Sequence, residues 1–376
     1  MLNTELFFNS LIKEDITFFS GVPDSFLVNI CNYISDNTTD NSHIIAANEG
    51  NALSIGIGYH LATKNLPLIY MQNSGLGNII NPLLSLADQD VYSIPMLLMI
   101  GWRGEPNISD EPQHKKQGRI TLELLESMKI PFYILSSNTS NEKANQIIQE
   151  AVSYAKGNNS PYALLVKKGT YTNYSLRKDI QSDFVLCREE AIKLIVNSLN
   201  DLDIVVSTTG FTSRELFEYR EILGQGHKQD FLTIGGMGHS NQIALGIALQ
   251  KPNRLVYCLD GDGSILMHMG SLAINANSNC NNFKHIVFNN GCHDSVGGQP
   301  TVALKIDLKS IATAMGYDKV IQASNKSELK HALKKLRQFN GKVFLEILTK
   351  KGSRSDLGRP TIPPHETKKA FMEFIK

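Results

Sequence analysis

The sequence predicts an α/β protein built from two domains, each a mainly parallel sheet flanked by helices. Three observations predict it. Short apolar runs alternate with longer segments of helical period. Most of these runs are apolar at every position, as strands covered by helices on both faces must be. A polar segment, Gly169–Ser182, carries no periodic apolar face and separates two halves of similar size. With 376 residues and about 150 residues per domain, two or three domains are expected. The boundaries are placed at 1–170, a linker at 171–185, and 186–376.

In the first half, strands are expected at Ile16–Ser20, His43–Ala47, Pro67–Gln72, Met96–Ile100, Phe132–Leu135 and Tyr162–Lys167. In the second they are expected at Asp203–Ser207, Phe231–Ile234, Leu255–Leu259, His285–Phe288, Lys319–Gln322 and Val343–Leu348. Helices are expected between them, among them Asp24–Ser35, Glu142–Ala155, Arg188–Ser198, Leu272–Ala276 with its flanks, and Lys326–Leu336. Alternating strand and helix implies right-handed crossovers. The halves are alike in pattern, not in letters.

Composition narrows the function. There are 37 Lys and Arg against 36 Asp and Glu, a net charge of +1, so nucleic acid is not an expected partner. The longest apolar run, Ile94 to Trp102, contains a proline and is far short of the ~20 residues of a membrane helix. No secretory signal pattern opens the chain. The five cysteines are scattered and form no Cys-x-x-Cys, which points to reduced thiols and a cytoplasmic protein.

Chemistry gathers after the strands of the second half. The run ending at Leu259 leads into Gly261-Asp262-Gly263-Ser264. Glycines permit a tight turn and close backbone approach. Asp262 offers a hard oxygen of the kind Mg²⁺ takes. The next strand ends in Asn289-Asn290-Gly291-Cys292. Both turns fall at carboxyl ends of strands, where open α/β sheets bind ligands. Taken alone each is weak: the first is also an ordinary turn, and asparagine pairs recur in this chain. Ser207-Thr-Thr-Gly-Phe-Thr-Ser213 places Thr209 and Gly210 after another strand, where they could meet an anion or only cap a helix. Met237, in Ile234-Gly-Gly-Met-Gly-His239, reads equally as a core methionine. In the first half, Glu49 opens a glycine-studded helix, and by itself is an ordinary N-terminal charge.

Gly-Asp-Gly, 25 residues and Asn-Asn together resemble the cofactor motif of thiamine-diphosphate-dependent 2-oxoacid decarboxylases. The resemblance implies Mg²⁺ held by Asp262, Asn290 and the backbone oxygen of Cys292. It implies a cofactor site at Gly235, Met237, Gly261, Gly263, Ser264, Thr209 and Gly210, with Met237 wedged under the thiazolium. Glu49, in an Asn-Glu-Gly setting, becomes the acid that exchanges a proton with the aminopyrimidine. A buried carboxyl with raised pKa suits that task. Because Glu49 and Asp262 fall in different domains, the resemblance implies a homo-oligomer with active sites at subunit interfaces. Larger members carry a central third domain; this chain resembles the short two-domain branch.

The substrate is addressed by two loops. Gly21-Val-Pro-Asp-Ser-Phe26 places Asp24 and Ser25 at the sheet edge, although Asp24 serves equally as a helix cap. Gly101-Trp-Arg-Gly-Glu-Pro and the following residues to Arg119 supply Arg103, His114 and further cations, beside Glu105, Asp110 and Glu111. Such cations suit an extra phosphonate or sulfonate, or a solvated charged loop. These loops, with His293-Asp-Ser-Val-Gly-Gly-Gln-Pro-Thr301 and Ser353-Arg-Ser-Asp-Leu-Gly-Arg-Pro-Thr361, resemble the members of the family whose 2-oxoacid substrates carry such an anion. The implied reaction is decarboxylation of 3-phosphonopyruvate to phosphonoacetaldehyde and CO₂, as in phosphonate biosynthesis. Alternatives are sulfopyruvate or another small 2-oxoacid, or a non-catalytic subunit of the same fold. His114 and His293 are the expected proton relays. A dinucleotide site is disfavoured, since no Gly-x-Gly-x-x-Gly follows a first strand; Gly75-Leu-Gly-Asn is only a partial echo.

Overall fold

A computed structural model describes residues 1–178 and 182–376. The chain divides into two compact units, Met1–Asp179 and Ile180–Lys376. Each holds a six-stranded sheet, and every strand pair is parallel.

The first sheet comprises β1 (Phe18–Gly21), β2 (His43–Ile45), β3 (Pro67–Gln72), β4 (Leu97–Gly101), β5 (Phe132–Leu135) and β6 (Tyr162–Val166). Its order is β2-β1-β3-β4-β6-β5. Alternation along the central strands divides the core into two layers. Leu97 and Met99 pack with Phe19, Tyr70 and Leu164 under helices 4–13, 28–37 and 141–158. Leu98 and Ile100 turn the other way, to Ile69, Met71 and Leu53. Both sets are buried, which is why these strands carry no polar face. Each such Leu or Ile contributes roughly 1.5–3 kcal/mol by leaving water.

The second sheet comprises β7 (Ile204–Ser207), β8 (Asp230–Leu232), β9 (Val256–Gly261), β10 (Phe283–Asn289), β11 (Lys319–Ala323) and β12 (Val343–Leu348). Its order is β11-β12-β10-β9-β7-β8. Tyr257, Leu259, Ile286 and Phe288 face one layer, and Val256, Cys258, Phe283 and Val287 the other. All twelve expected strands are present, displaced by at most a few residues at their ends.

Two readings need refinement. The helix expected from Asp24 begins at Val28. Asp24 does not cap it: its carboxylate accepts from the Phe26 amide (2.9 Å) and its carbonyl from Leu27 (3.1 Å), closing a turn before the helix. Residues 170–178 of the polar segment are docked on the first unit. Tyr171 is buried and bridges to Leu2, and the Tyr174 hydroxyl donates to Asp36 (3.1 Å). Residues 179–181 of the expected linker lie outside the described residues. No helix among the described residues is long and apolar enough to cross a membrane.

Candidate active site

In the second unit the ends of β7, β8, β9 and β10 converge. A cavity there is lined by Thr208, Thr209, Met237, Gly261, Asp262, Gly263, Ser264, Asn290, Cys292 and His293, among others. The Ser264 hydroxyl ties three of these loops together: it accepts from Thr208 Oγ1 (3.1 Å) and from the Gly238 amide (3.1 Å). Gly238 needs its left-handed backbone (φ +90°) to make that approach, and a Cβ there would fall 2.7 Å from His268.

Asp262 follows β9 and is almost fully buried. Burial pushes its pKa up to about 7, even though the Thr301 hydroxyl donates to it at 2.6 Å. Asn290 follows β10; its Nδ2 donates to Asp294 (2.7 Å) and its Oδ1 accepts from the Cys292 amide (3.1 Å). Cys292 is buried, bridges to Pro300, and gives its thiol proton to Asp294 (3.1 Å). Burial, then the Asp294 carboxylate, hold that thiol well above its ordinary range. His293 packs over Gly263, where a Cβ would come within 2.9 Å of the ring and 3.8 Å of the Met237 methyl. Burial lowers the His293 pKa to about 4, so it is neutral near pH 7. Gly210 (φ +95°) lies under Ser295, and Gly235 is half-buried at the start of the loop that carries Met237.

Two residues of this lining, Arg188 and Asp294, belong to an ion network that the sequence did not announce. Arg188, nearly buried, forms a fork with Glu215 (2.9 and 3.0 Å) and extends Nη1 to Asp294 (3.2 Å). In the sequence it is one charge among several in its helix, beside Glu189, Glu190 and Lys193, and nothing marks it out. Asp294 and Thr301 lie within a stretch already singled out, but nothing in the letters assigned them a partner.

In the first unit the ends of β1 to β4 carry the remaining expected residues. Glu49 opens helix Glu49–Thr63, is buried, and accepts from Asn78 Nδ2 (2.7 Å). Gly75 makes this possible, because a Cβ there would lie 2.5 Å from Glu49 Oε1. Asp24 is buried beside Gln72, whose Nε2 donates to it at 2.6 Å, and burial raises its pKa. Arg103 donates Nε to Asp110 (2.8 Å), Nη2 to the same carboxylate, and Nη1 to Ser25 (3.0 Å), and stacks over Phe26. The fork holds Asp110 far below the usual carboxylate range. The solitary Trp102 is a core residue that bonds the Gly118 carbonyl (2.9 Å) and so pins the loop to helix Pro112–Ser127. His114 is half-buried in that helix's first turn, its carbonyl packed against Gly104.

Residues 1–124 match the family model for the N-terminal TPP-binding domain of thiamine pyrophosphate enzymes, and residues 208–347 match the model for the C-terminal TPP-binding domain. The chain is 34 % identical to "Phosphonopyruvate decarboxylase" of Streptomyces hygroscopicus, over 96 % of this chain and 90 % of the relative. It is 33 % identical to the protein of the same name from Streptomyces viridochromogenes (96 % and 91 %). It is 27 % identical to "Sulfopyruvate decarboxylase" of Methanosarcina acetivorans (94 % and 92 %).

The chain belongs to the thiamine pyrophosphate enzyme family.

Membership in this family assigns the first unit's strand edge to the N-terminal TPP-binding domain and the second unit's to the C-terminal one. The residues of the second unit suit the diphosphate-bearing end of the cofactor and a hard cation. Asp262 and Asn290 offer oxygen ligands from buried side chains, and a Cβ on Gly261 would meet open space. Of the residues expected to touch cofactor or metal there, Thr209, Met237, Gly261, Asp262, Gly263, Ser264, Asn290 and Cys292 share one cavity with His293, an expected proton relay; Gly210 and Gly235 lie outside its lining. The first unit gathers Asp24, Ser25 and Arg103 in one cluster and holds Glu49 separately against Gly75 and Asn78.

Proposed function

We propose that this chain is a cytoplasmic, homo-oligomeric decarboxylase that converts 3-phosphonopyruvate to phosphonoacetaldehyde and CO₂, using thiamine pyrophosphate and Mg²⁺. The carrying observation is Asp262. Its buried carboxyl stands at the end of a central parallel strand and shares one cavity with Asn290, so two hard oxygens of the kind Mg²⁺ takes face the same space. The two phosphonopyruvate decarboxylases, similar over nearly their whole length, support the substrate.

Asp262, Asn290 and the Cys292 carbonyl would hold the metal, with Gly261, Gly263, Ser264, Thr209 and Gly210 around the diphosphate. Gly235 and Met237 would shape the cofactor's bend. When bound, thiamine pyrophosphate supplies the electron sink for loss of CO₂. Glu49 holds and passes a proton at its carboxylate, and Asn78 fixes that carboxylate's orientation. Arg103, with Ser25, presents a planar guanidinium to the phosphonate, and the Asp110 fork keeps the side chain extended over Phe26. Buried Asp24 accompanies them at the same edge. His293, neutral near pH 7, accepts or returns a proton beside Gly263, and His114 is the second candidate for that transfer.

An aldehyde assay on phosphonopyruvate and sulfopyruvate, with and without thiamine pyrophosphate and Mg²⁺, tests this reading. Turnover is expected on phosphonopyruvate only with both additions. Preference for sulfopyruvate would transfer the chain to the activity named for its Methanosarcina relative. No turnover on either, with Glu49 intact, would remove the catalytic assignment.

A further inference from the structure

We propose that the loop after β10 sets the two side-chain metal ligands, with Asp294 orienting Asn290 and Thr301 orienting Asp262. This rests on the metal site of the preceding reading and adds two positioning residues to it.

An ionised carboxylate accepts hydrogen bonds and donates none. Asp294 therefore can face only the amide nitrogen of Asn290, and it does so at 2.7 Å. The Asn290 carbonyl oxygen, the atom a hard cation would take, is thereby turned away from Asp294. The same orientation lets Oδ1 accept from the Cys292 amide (3.1 Å), and without Asp294 that weaker backbone contact alone would hold the amide's rotation.

Asp294 is itself immobilised. Its Oδ2 also accepts from Arg188 Nη1 (3.2 Å) and the Gly352 amide (3.0 Å), and its Oδ1 from the Cys292 thiol (3.1 Å). Arg188 cannot swing, because Nε and Nη2 are engaged by Glu215. Its side chain is 6 % exposed and that of Asp294 8 %. The anchor is therefore sheltered from water, and its charge-assisted bonds are little screened.

Thr301 acts on the other ligand. Its hydroxyl oxygen accepts from the Ala303 amide (3.3 Å), so its proton is left for Asp262 Oδ2, at 2.6 Å. One carboxylate oxygen is thus held by a fixed donor, which sets the rotation of the group. Thr301 is placed by its own amide, which bonds the Gly291 carbonyl (2.8 Å), and by the bridge between Cys292 and Pro300. Residues 291–301 form one closed loop, and the same loop carries His293. Groups that orient metal ligands in this way typically change metal affinity about 10–100-fold when removed.

The test is Mn²⁺ binding to the full chain in excess thiamine pyrophosphate, read from the electron paramagnetic resonance signal of the free ion. Asp294→Asn and Thr301→Val are each expected to raise the Mn²⁺ dissociation constant about 10–100-fold, and Thr301→Ser to stay within about threefold of the parent chain. Melting without metal or cofactor reports any general loss of fold. If Asp294→Asn does not fold, the Thr301 pair decides. Affinities within about threefold of the parent for both Asp294→Asn and Thr301→Val would overturn the proposal. A loss confined to one variant would remove the other residue from the role. If the parent chain itself takes up no Mn²⁺, the metal-site reading fails with it; if the parent binds and the variants bind alike, only the positioning fails.

Discussion

Strand order β2-β1-β3-β4-β6-β5 in the first unit corresponds, from the other edge, to β8-β7-β9-β10-β12-β11 in the second. Every strand has a counterpart, so the two carboxyl edges can be compared position by position. After the first strand stands Asp24 in one unit and Thr208-Thr209 in the other. After the second come Glu49 and the Gly235–Met237 loop, after the third Gly75 and Gly263, after the fourth Arg103 and Asn290. The first edge offers two buried acids, Asp24 and Glu49, and a guanidinium; the second offers one buried acid, Asp262, among amides, hydroxyls and small turns. The shared architecture therefore fixes where chemistry can sit, and the turn residues alone decide which chemistry it is. The glycines make the same point. Gly75 is small to admit Glu49, and Gly263 is small to admit His293.

This division can be broken most directly at its two acids. Asp262→Ala is expected to abolish cofactor uptake in calorimetry with Mg²⁺, and turnover with it. Glu49→Gln is expected to leave uptake intact while kcat falls about 10²–10⁴-fold, the usual worth of a positioned proton-transfer group. Equal loss of binding in both variants would erase the distinction between the edges.

The glycine at the acid comes next. Gly75→Ala puts a methyl 2.5 Å from Glu49 Oε1, and the carboxylate must shift. A fall in kcat of about 10²-fold with cofactor binding unchanged is expected, since small misplacements of reacting groups cost that much. Unchanged kcat would show that the acid does not need its present position.

Arg103→Met removes the guanidinium and leaves Asp110 without its fork. The KM for phosphonopyruvate should rise about 10–100-fold, as expected for loss of a charge-assisted contact, with little change in kcat. A KM within about twofold of the parent enzyme would transfer phosphonate recognition to another cation.

The smallest effects are in stability. Burial, then Lys178, lowers the His43 pKa to about 4, and burial lowers that of Lys284 to about 8. In both cases the unfolded chain binds the proton more readily, so stability rises with pH across each window. The windows are about pH 4–6.5 for His43 in the first unit and about pH 8–10.5 for Lys284 in the second. Melting curves of His43→Gln and Lys284→Met should each lose the rise in its own window. A rise that persists in the variant would show that another group carries it.

How much of this was legible beforehand differs by element. The central strands announced themselves because both of their faces are buried, and a run such as Met96–Ile100 needs no partner to be recognised. Gly-Asp-Gly and Asn-Asn, each an ordinary turn alone, were legible as a pair only through their resemblance to a family motif. Asp24 misled the reading of its helix, since the letters that cap a helix also close the turn before one. Arg103 carried no sign of Asp110, though the two stand only 7 residues apart, because either charge could have faced water.

The sequence by itself determined the two sheets, the strands within them, and the places where turns bearing acids, amides and glycines would emerge. Apolar period and turn chemistry are local properties, readable within a few residues. The tertiary structure alone decided who faces whom. Asn78 meets Glu49 across 29 positions, Thr301 meets Asp262 across 39, and Arg188 meets Asp294 across 106. Those pairings depend on which strands lie side by side and on how close two backbones come, and no single segment of the chain contains that information.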